Sequence, residues 1–222
     1  QLLLSSLSEH PEIKNKNTPY CDKLFAKLKK DCDYCLNILL ADEKGNNIGS
    51  AISPEDGHKL NYLDREWFIN GMKGVPYINS PHISKLFKEK TFMVTYPVFN
   101  QGKQVAVLGI PINLNKISEE ITNKFSVSEK TNIVIVNDKG IVMFNMLYPE
   151  FVGGPIKTKE VNDFIFSGLK GSKEIIGYDK LNRLYIFDTI EKINWKIFVS
   201  IPPSELYSEG FKRVKNKIYL TM

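Results

Sequence analysis

The residues best suited to recognise a small molecule are an arginine and a tryptophan that stand two positions apart. Arg65 and Trp67 belong to the run Asp-Arg-Glu-Trp-Phe. A guanidinium offers a planar fork of donors that suits a carboxylate, and an adjacent indole supplies an apolar wall. The pair therefore predicts a binding site for a small organic acid or a similar metabolite. The alternative is that Arg65 pairs with a neighbouring carboxylate while Trp67 fills the core.

A short helix is expected to hold this pair. Asp64 stands where an N-cap residue would, because its carboxylate can accept the first free backbone N–H groups of a helix that continues through Phe-Ile-Asn-Gly-Met. Arg65 and Trp67 would then project side by side from the first turn of that helix.

The segments after this helix supply five further candidate ligand-binding residues. A Gly-Val-Pro turn leads into Tyr-Ile-Asn-Ser-Pro-His-Ile-Ser-Lys, which is expected to form a loop and a short strand over the helix. Its candidates are Tyr77, Ser80 and His82, whose side chains can form hydrogen bonds. In the following strand, alternation places Met93 and Thr95 on one face, which we expect to be the face of the pocket.

Enzymatic catalysis is not expected of this chain. None of the motifs for a nucleophilic serine, a phosphate-binding loop, a dinucleotide site or a zinc protease occurs. His10 and His58 are expected to face solvent, and most acidic residues lie in turn sequences such as Asp-Glu-Lys-Gly, where carboxylates are usually solvated. We therefore expect no cofactor and no metal site.

The three cysteines, Cys21, Cys32 and Cys35, do not complete a zinc site, because no second pair of cysteines or histidines accompanies Cys32 and Cys35. A redox pair would be expected after a strand, whereas this pair precedes a strand-like run. We expect plain packing for these residues, with a disulfide as the second possibility.

The overall composition is that of an ordinary globular domain. Apolar residues make up 42% and charged residues 25% of the 222 residues, and the net charge is +5. The only basic cluster, formed by Lys212, Arg213, Lys215 and Lys217, matches no nucleic-acid-binding motif. No nucleic-acid partner is therefore expected.

The elements that must position the candidate residues occur twice along the chain. The run LNILLADEKGNNIGS is matched by TNIVIVNDKGIVMFN, and each has the pattern of a β-hairpin. Gly45 and Gly140 are 95 residues apart, and the Ile-Pro pairs that end with Pro111 and Pro202 are 91 residues apart. This repeat predicts two copies of one α+β unit, each an antiparallel sheet with helices packed on it.

Four segments follow from this pattern. We expect a helical region at 1–35, a first module at 36–122, a second module at 123–205 and a C-terminal helix at 206–222. No run approaches the ~18 apolar residues that span a bilayer. Both ends are nevertheless apolar and lack bounding turn residues, so a fragment from between two membrane helices is expected.

The order of these segments resembles the double Cache domain, a tandem PAS-like sensor domain of prokaryotic histidine kinases, chemoreceptors and diguanylate cyclases. The resemblance covers nearly the whole chain and rests on DREWF, INSPHISK, TYPVFNQGKQVAVLGI and a related second unit that ends NWKIFVSIPPSELYSE. It implies two PAS-like antiparallel-sheet modules stacked along a long N-terminal helix. It also implies a membrane-distal first module that binds ligand outside the cell membrane, and a membrane-proximal second module.

The resemblance bears on the ligand as well. In family members that bind amino acids, an arginine and an aromatic residue two positions later hold the ligand carboxylate, and Arg65 and Trp67 match them. Leu60 stands where a tyrosine would assist, and Pro111 stands where an aspartate would hold the ammonium. The resemblance therefore implies a carboxylate, or another small polar metabolite, without an amine.

The function that we expect is ligand sensing by a transmembrane receptor, in the first place a sensor histidine kinase whose kinase domain lies outside this fragment. The alternatives are a chemoreceptor or a diguanylate cyclase and, from another class, a surface or adhesion module without an enclosed pocket around Arg65. Because such receptors signal as dimers, a weak homodimer through the N-terminal helix is also expected.

Overall fold

The chain forms two compact units, Gln1–Ile117 and Ser118–Met222. The computed structural model describes residues 2–54, 57–124, 128–168 and 171–206. The C-terminal helix expected at 206–222 and the basic cluster within it therefore lie almost entirely outside the described residues. Within the described ranges, no helix has both the length and the apolar character needed to cross a membrane.

The first unit begins with three helices, where the resemblance to the double Cache domain implied one long helix. They are α1 (Leu2–Ser8), α2 (Pro11–Lys14) and α3 (Thr18–Lys30). The helix breaks at Pro11, which has no N–H to donate and starts a new helix instead. It breaks again at Lys16, whose φ of 57° is left-handed, before the Asn17 side chain caps α3 by accepting a hydrogen bond from the N–H of Tyr20.

Cys32 and Cys35 form a disulfide, so the expectation of plain packing was wrong for this pair. The physical reason is the turn that follows α3, in which the N–H of Cys35 donates to the carbonyl of Cys32 at 3.2 Å. That turn brings the two Cα atoms to 5.4 Å, a normal disulfide separation. Cys21 is free and buried, as expected of a packed cysteine.

The sheet of the first unit is antiparallel and has the strand order β2-β1-β6-β5-β3, with β4 also paired to β5. Its strands are β1 (Leu39–Asp42), β2 (Asn47–Ser50), β3 (Tyr77–Ile78), β4 (His82–Ile83), β5 (Lys90–Asn100) and β6 (Lys103–Asn113). The short helix α4 (Glu66–Gly71) packs on the sheet, and α5 (Leu114–Lys124) follows β6. The division between the two units falls within α5.

The second unit repeats this sheet with the order β8-β7-β11-β10-β9. Its elements are β7 (Asn132–Val136), β8 (Val142–Asn145), a 3-10 helix (Pro149–Phe151), α6 (Lys159–Phe166), β9 (Ser172–Ile176), β10 (Asn182–Ile190), a second 3-10 helix (Glu191–Ile193) and β11 (Trp195–Ile201). All of its strand pairs are antiparallel.

The two sheets confirm the repeat and the α+β class. In each unit the first hairpin lies at one edge, and the two long strands of the second hairpin follow in the same order. Gly45 and Gly140 occupy the first-hairpin turns with left-handed φ values of 76° and 74°, a conformation that glycine adopts without a Cβ penalty. The two glycines are therefore equivalent positions of one fold, whereas Pro111 lies within β6 and Pro202 lies one residue beyond the end of β11.

Candidate ligand-binding site

A cavity in the first unit gathers four of the seven predicted site residues. It encloses about 410 Å³, a volume that includes the space at its open mouth. Arg65, Trp67, His82 and Met93 line it, together with side chains from β1, β5, β6 and the loop that follows β4. The site is thus built on one face of the sheet and covered by α4 and that loop.

Arg65 is placed by the start of α4, although not in the way that the sequence suggested. The helix begins at Glu66, so Arg65 itself is the N-cap residue, with an extended backbone (φ −94°, ψ 129°) and no side-chain cap. Asp64 lies one residue too early to cap the helix, and the prediction that it does was wrong. Its carboxylate instead accepts a hydrogen bond from Nζ of Lys85 at 2.7 Å.

The guanidinium of Arg65 has no hydrogen-bond partner within the described part of the chain, and its Nε is fully buried. The nearest carboxylate oxygen is Oδ2 of Asp64, 3.7 Å from Nε, which is beyond hydrogen-bond distance. A buried donor without an acceptor is costly, and a charged donor more so. The buried Nε of this guanidinium therefore has unused capacity to donate a hydrogen bond.

Tyr62 stands beside Arg65 and Trp67 in the wall of the cavity. The Tyr62 and Trp67 rings are 4.9 Å apart, and Tyr62 is 6% exposed. Burial raises the pKa of Tyr62 to about 12, against a smaller opposing effect of the Arg65 charge, so the phenol stays protonated. Its hydroxyl makes no hydrogen bond to any described residue, which leaves a second polar group available to a ligand.

Trp67 belongs to the core and also lines the cavity. It is 3% exposed and belongs to a core cluster with Leu39, Phe68 and Met93, and it also lines the cavity. The indole therefore fills the core with one part of its surface and bounds the site with another.

His82 is held by the amide of Asn79. The Asn79 Oδ1 accepts the N–H of Met93 at 2.6 Å, so the amide turns its Nδ2 toward Nδ1 of His82, 3.0 Å away. This arrangement favours the neutral imidazole. Burial lowers the pKa of His82, and the Arg65 charge lowers it further, whereas the Ser80 carbonyl and the Glu66 carboxylate oppose the shift.

Three predicted site residues, Tyr77, Ser80 and Thr95, do not line this cavity. Tyr77 pairs with Thr95 across β3 and β5, and its hydroxyl donates to Oε1 of Glu66 at 2.6 Å. The Thr95 hydroxyl donates to the Tyr77 carbonyl at 3.1 Å, beneath α4. A Cβ added to Gly71 would lie 3.4 Å from Oγ1 of Thr95, which shows how closely α4 covers that part of the strand.

The sequence analysis missed several residues of the cavity wall, among them Tyr62, Lys85 and Thr91. The aromatic residue expected near Arg65 was sought at Leu60, which instead packs at the edge of the core cluster. A tyrosine three positions before Arg65 was a signal that could have been used. Pro111 does line the cavity, and no carboxylate is found among its described lining residues.

Comparison with known proteins identifies the family. A profile of the Cache domain family, of the double Cache type, matches residues 1–209. The chain belongs to the double Cache domain family. Domains of this kind are extracellular sensor modules of histidine kinases and chemoreceptors.

Solved structures share the double Cache fold at low sequence identity. The extracellular domain of the putative histidine kinase rpHK1S-Z16 is 15% identical, with a TM-score of 0.74 over 93% of this chain and 87% of that one. The ligand-binding domain of the Pseudomonas fluorescens chemoreceptor CtaA, in complex with L-isoleucine, is 17% identical, with a TM-score of 0.73 over 94% and 85%.

The ligand-binding domain of Mlp24 with asparagine is 15% identical, with a TM-score of 0.62 over 93% of this chain and 82% of that one. At these identities the comparisons bear on the fold alone. No curated protein sequence matches the chain.

Proposed function

We propose that the first unit is the membrane-distal, ligand-binding module of this double Cache domain, and that it senses a small carboxylate without an ammonium group. The observation that carries the proposal is the Arg65 guanidinium, which reaches the cavity with a buried Nε and no hydrogen-bond partner among the described residues. A carboxylate supplies the two acceptor oxygens that match its planar fork of donors.

The charges around the cavity support an anion and disfavour a free amine. Arg65 and Lys85 line the cavity, and its described lining residues include no carboxylate. Asp64, outside the lining, accepts a hydrogen bond from Lys85, so the Arg65 guanidinium is the cation that remains to bind an anion. CtaA and Mlp24 were solved with amino acids, whose ammonium groups need a negative or acceptor-rich partner. Pro111 offers no side-chain acceptor here. The rings of Tyr62 and Trp67 then form the apolar wall beside the carbon skeleton of the ligand.

The proposed receptor is a sensor histidine kinase in the cell membrane, with this domain outside the cytoplasm and a weak dimer through the N-terminal helices. A chemoreceptor is the second candidate, because domains of both receptor types share this fold. The Cys32–Cys35 disulfide supports an oxidising compartment. The cavity around Arg65 argues against an adhesion module without a ligand.

A thermal-shift screen tests the proposal directly. Acetate, lactate, pyruvate and succinate are compared with alanine, leucine and ethylamine on the wild-type chain, on Arg65→Ala and on Arg65→Lys. A carboxylate present at 100 times its Kd should stabilise the wild-type protein by about 2.7 kcal/mol. We expect this stabilisation to be lost in Arg65→Ala and reduced in Arg65→Lys, because lysine keeps the charge but not the fork.

Tyr77→Phe is the matched control, since it removes a polar group from a candidate residue that lies outside the cavity. It should leave the ligand-induced shift unchanged. A best ligand that stabilises Arg65→Ala as strongly as the wild type would contradict the assignment of the site. Amino acids that outperform all carboxylates would contradict the proposed ligand class.

A further inference from the structure

The second unit has a cavity of its own, on the face of its sheet that corresponds to the site in the first unit. It encloses about 490 Å³, including the space at its open mouth. In the first unit, Leu39 lies opposite Gly109 on the two central strands and lines the first cavity. In the second unit, Asn132 lies opposite Ser200 on the equivalent strands, and both line the second cavity.

One wall of the second cavity is a cluster of three aromatic rings. The Tyr148 and Phe151 rings stack at 5.4 Å, and Tyr178 meets Phe151 edge to face at 4.7 Å. Tyr178 is 56% exposed, so the cluster does not belong to the closed core. A flat apolar ligand would cover these rings in the geometries that aromatic groups prefer.

The buried charges of this cavity compensate one another. Arg183 is 4% exposed and donates from Nε and Nη2 to Oδ2 of Asp179, while its Nη1 donates to the carbonyl of Lys130. Asp179 also accepts the hydroxyl of Tyr148 at 3.2 Å. Because this carboxylate is already engaged by a cation and a phenol, it is not free to hold the amine of a ligand.

Two buried amides bring unused donors to the cavity. Asn132 and Asn145 are 7% and 6% exposed, and both line it. Their Oδ1 atoms accept the backbone N–H groups of Leu147 and Tyr148, at 3.1 and 2.9 Å, and this fixes which end of each amide is the NH₂ group. Neither Nδ2 has a hydrogen-bond partner among the described residues, so both can donate a hydrogen bond to a ligand.

Lys157 adds a positive charge to the lining. Its Nζ lies 5.5 Å from the centre of the Phe151 ring, and no carboxylate of the described residues lies within ion-pair distance of it. The cavity therefore combines an aromatic wall, two amide donors and one uncompensated cation.

We propose that the second cavity is a second ligand site, which binds a small aromatic carboxylate. The ring of the ligand covers Tyr148, Phe151 and Tyr178, and its carboxylate accepts hydrogen bonds from the Asn132 and Asn145 amides beside the charge of Lys157. This proposal does not depend on the ligand of the first unit, where the sequence analysis placed all of its candidate site residues.

Isothermal titration calorimetry on the Arg65→Ala chain tests the second site with the first one disabled. The probes are benzoate, phenylacetate, 4-hydroxyphenylacetate and indole-3-acetate, with 2-phenylethylamine as the cationic counterpart and acetate as the counterpart without a ring. We expect at least one aromatic carboxylate to bind once per chain, and acetate and 2-phenylethylamine to bind at least about tenfold more weakly.

Substitutions in the lining then locate the site. Asn145→Asp keeps an acceptor for the N–H of Tyr148 but replaces the NH₂ donor with a negative oxygen, so it should weaken binding by at least about tenfold. Lys157→Gln should weaken binding severalfold, whereas Lys159→Gln, the same charge change outside this cavity, should not. Circular dichroism checks that each variant is folded. If Asn145→Asp does not fold, the affinity of Lys157→Gln decides whether the ligand binds in the second cavity.

Three results would overturn the proposal. They are no binding of any aromatic carboxylate at millimolar concentration, equal binding of 2-phenylethylamine, and unchanged affinity in the folded lining variants. None of them bears on the carboxylate site around Arg65, because that residue is absent from the protein being titrated.

Discussion

Some polar side chains of the first cavity already make hydrogen bonds within the protein, whereas others have unused donors or acceptors. The Asn37 amide donates to the Ser50 hydroxyl and the Ile52 carbonyl, and its Oδ1 accepts two backbone N–H groups. The Thr91 hydroxyl donates to the carbonyl of Ile112 at 2.7 Å. Both residues hold strands together, whereas Arg65 and Tyr62 in the same wall have unused capacity. Residue type alone does not reveal this difference.

His82 should make the stability of the chain depend on pH. Its folded-state pKa is lowered, chiefly by burial, so the unfolded chain binds the proton more readily. The contribution is fully present above the usual pKa of 6.5 and is lost as the pH falls below that value. We expect urea unfolding between about pH 8 and about pH 5 to show falling stability for the wild type, and a smaller fall for His82→Gln.

The exposed His58 provides the control for this measurement. His58→Gln should retain the pH dependence of the wild type. An unchanged pH dependence in His82→Gln would assign the titration to other groups.

Two short elements, α4 and the loop that follows β4, cover the first site. The helix α4 has six residues and lies against the sheet through Gly71, where an added Cβ would come within 2.8 Å of Cγ1 of Val107. At the other end of the same unit, the Cys32–Cys35 disulfide fixes the turn between α3 and β1.

Reduction of the disulfide should destabilise the chain only modestly. Its cysteines are three residues apart, and closing so small a loop restricts the unfolded chain by at most about 2 kcal/mol. We expect dithiothreitol to lower the Tm of the wild type by a few degrees, and to leave the Cys32→Ser/Cys35→Ser double variant unaffected. Burial raises the pKa of Cys21 to about 11, so this thiol should not exchange with the pair. A large loss of structure on reduction would contradict this account.

At the scale of the whole molecule, one fold occurs twice with different side chains at corresponding places. The first unit has a six-stranded sheet and the second a five-stranded sheet, and each unit has its own buried core. The guanidinium in the first cavity has no hydrogen-bond partner among the described residues, whereas Arg183 in the second donates to Asp179. The duplicated scaffold thus supports two different recognition chemistries.

Matched core substitutions should show that the two units have separate local stabilities. Ile38 in the first unit is 0% exposed and Ile165 in the second is 1% exposed. Each Ile→Ala change should cost about 2–5 kcal/mol. Native-state hydrogen exchange should therefore rise among the β1 and β6 amides in Ile38→Ala, and among the β7 and β11 amides in Ile165→Ala. A uniform rise along the chain in either variant would show a single cooperative unit instead.

Much of the fold and part of the first site could be predicted from local patterns. Arg65 and Trp67 were found because a donor fork beside an indole is a local signal, and His82 and Met93 because they lie near that pair on predicted strands. Thr95 was misplaced because alternation gives the face of a strand but not the part of that face that α4 covers. Tyr77 was proposed for its hydroxyl, which donates to Glu66 instead. The N-cap of α4 was predicted at Asp64, one position before the observed N-cap Arg65, because helix ends depend on backbone geometry.

The amino-acid sequence by itself determined the α+β class, the repeat and the lack of catalytic motifs, since hydrophobic periodicity and turn residues act over short stretches of chain. Tertiary structure decided which polar groups have partners, because partners such as Asn79 and His82, or Arg183 and Lys130, meet only when strands and loops pack. The unused donors of Arg65, Asn132 and Asn145 follow from that packing, and the proposed ligand chemistry follows from those donors.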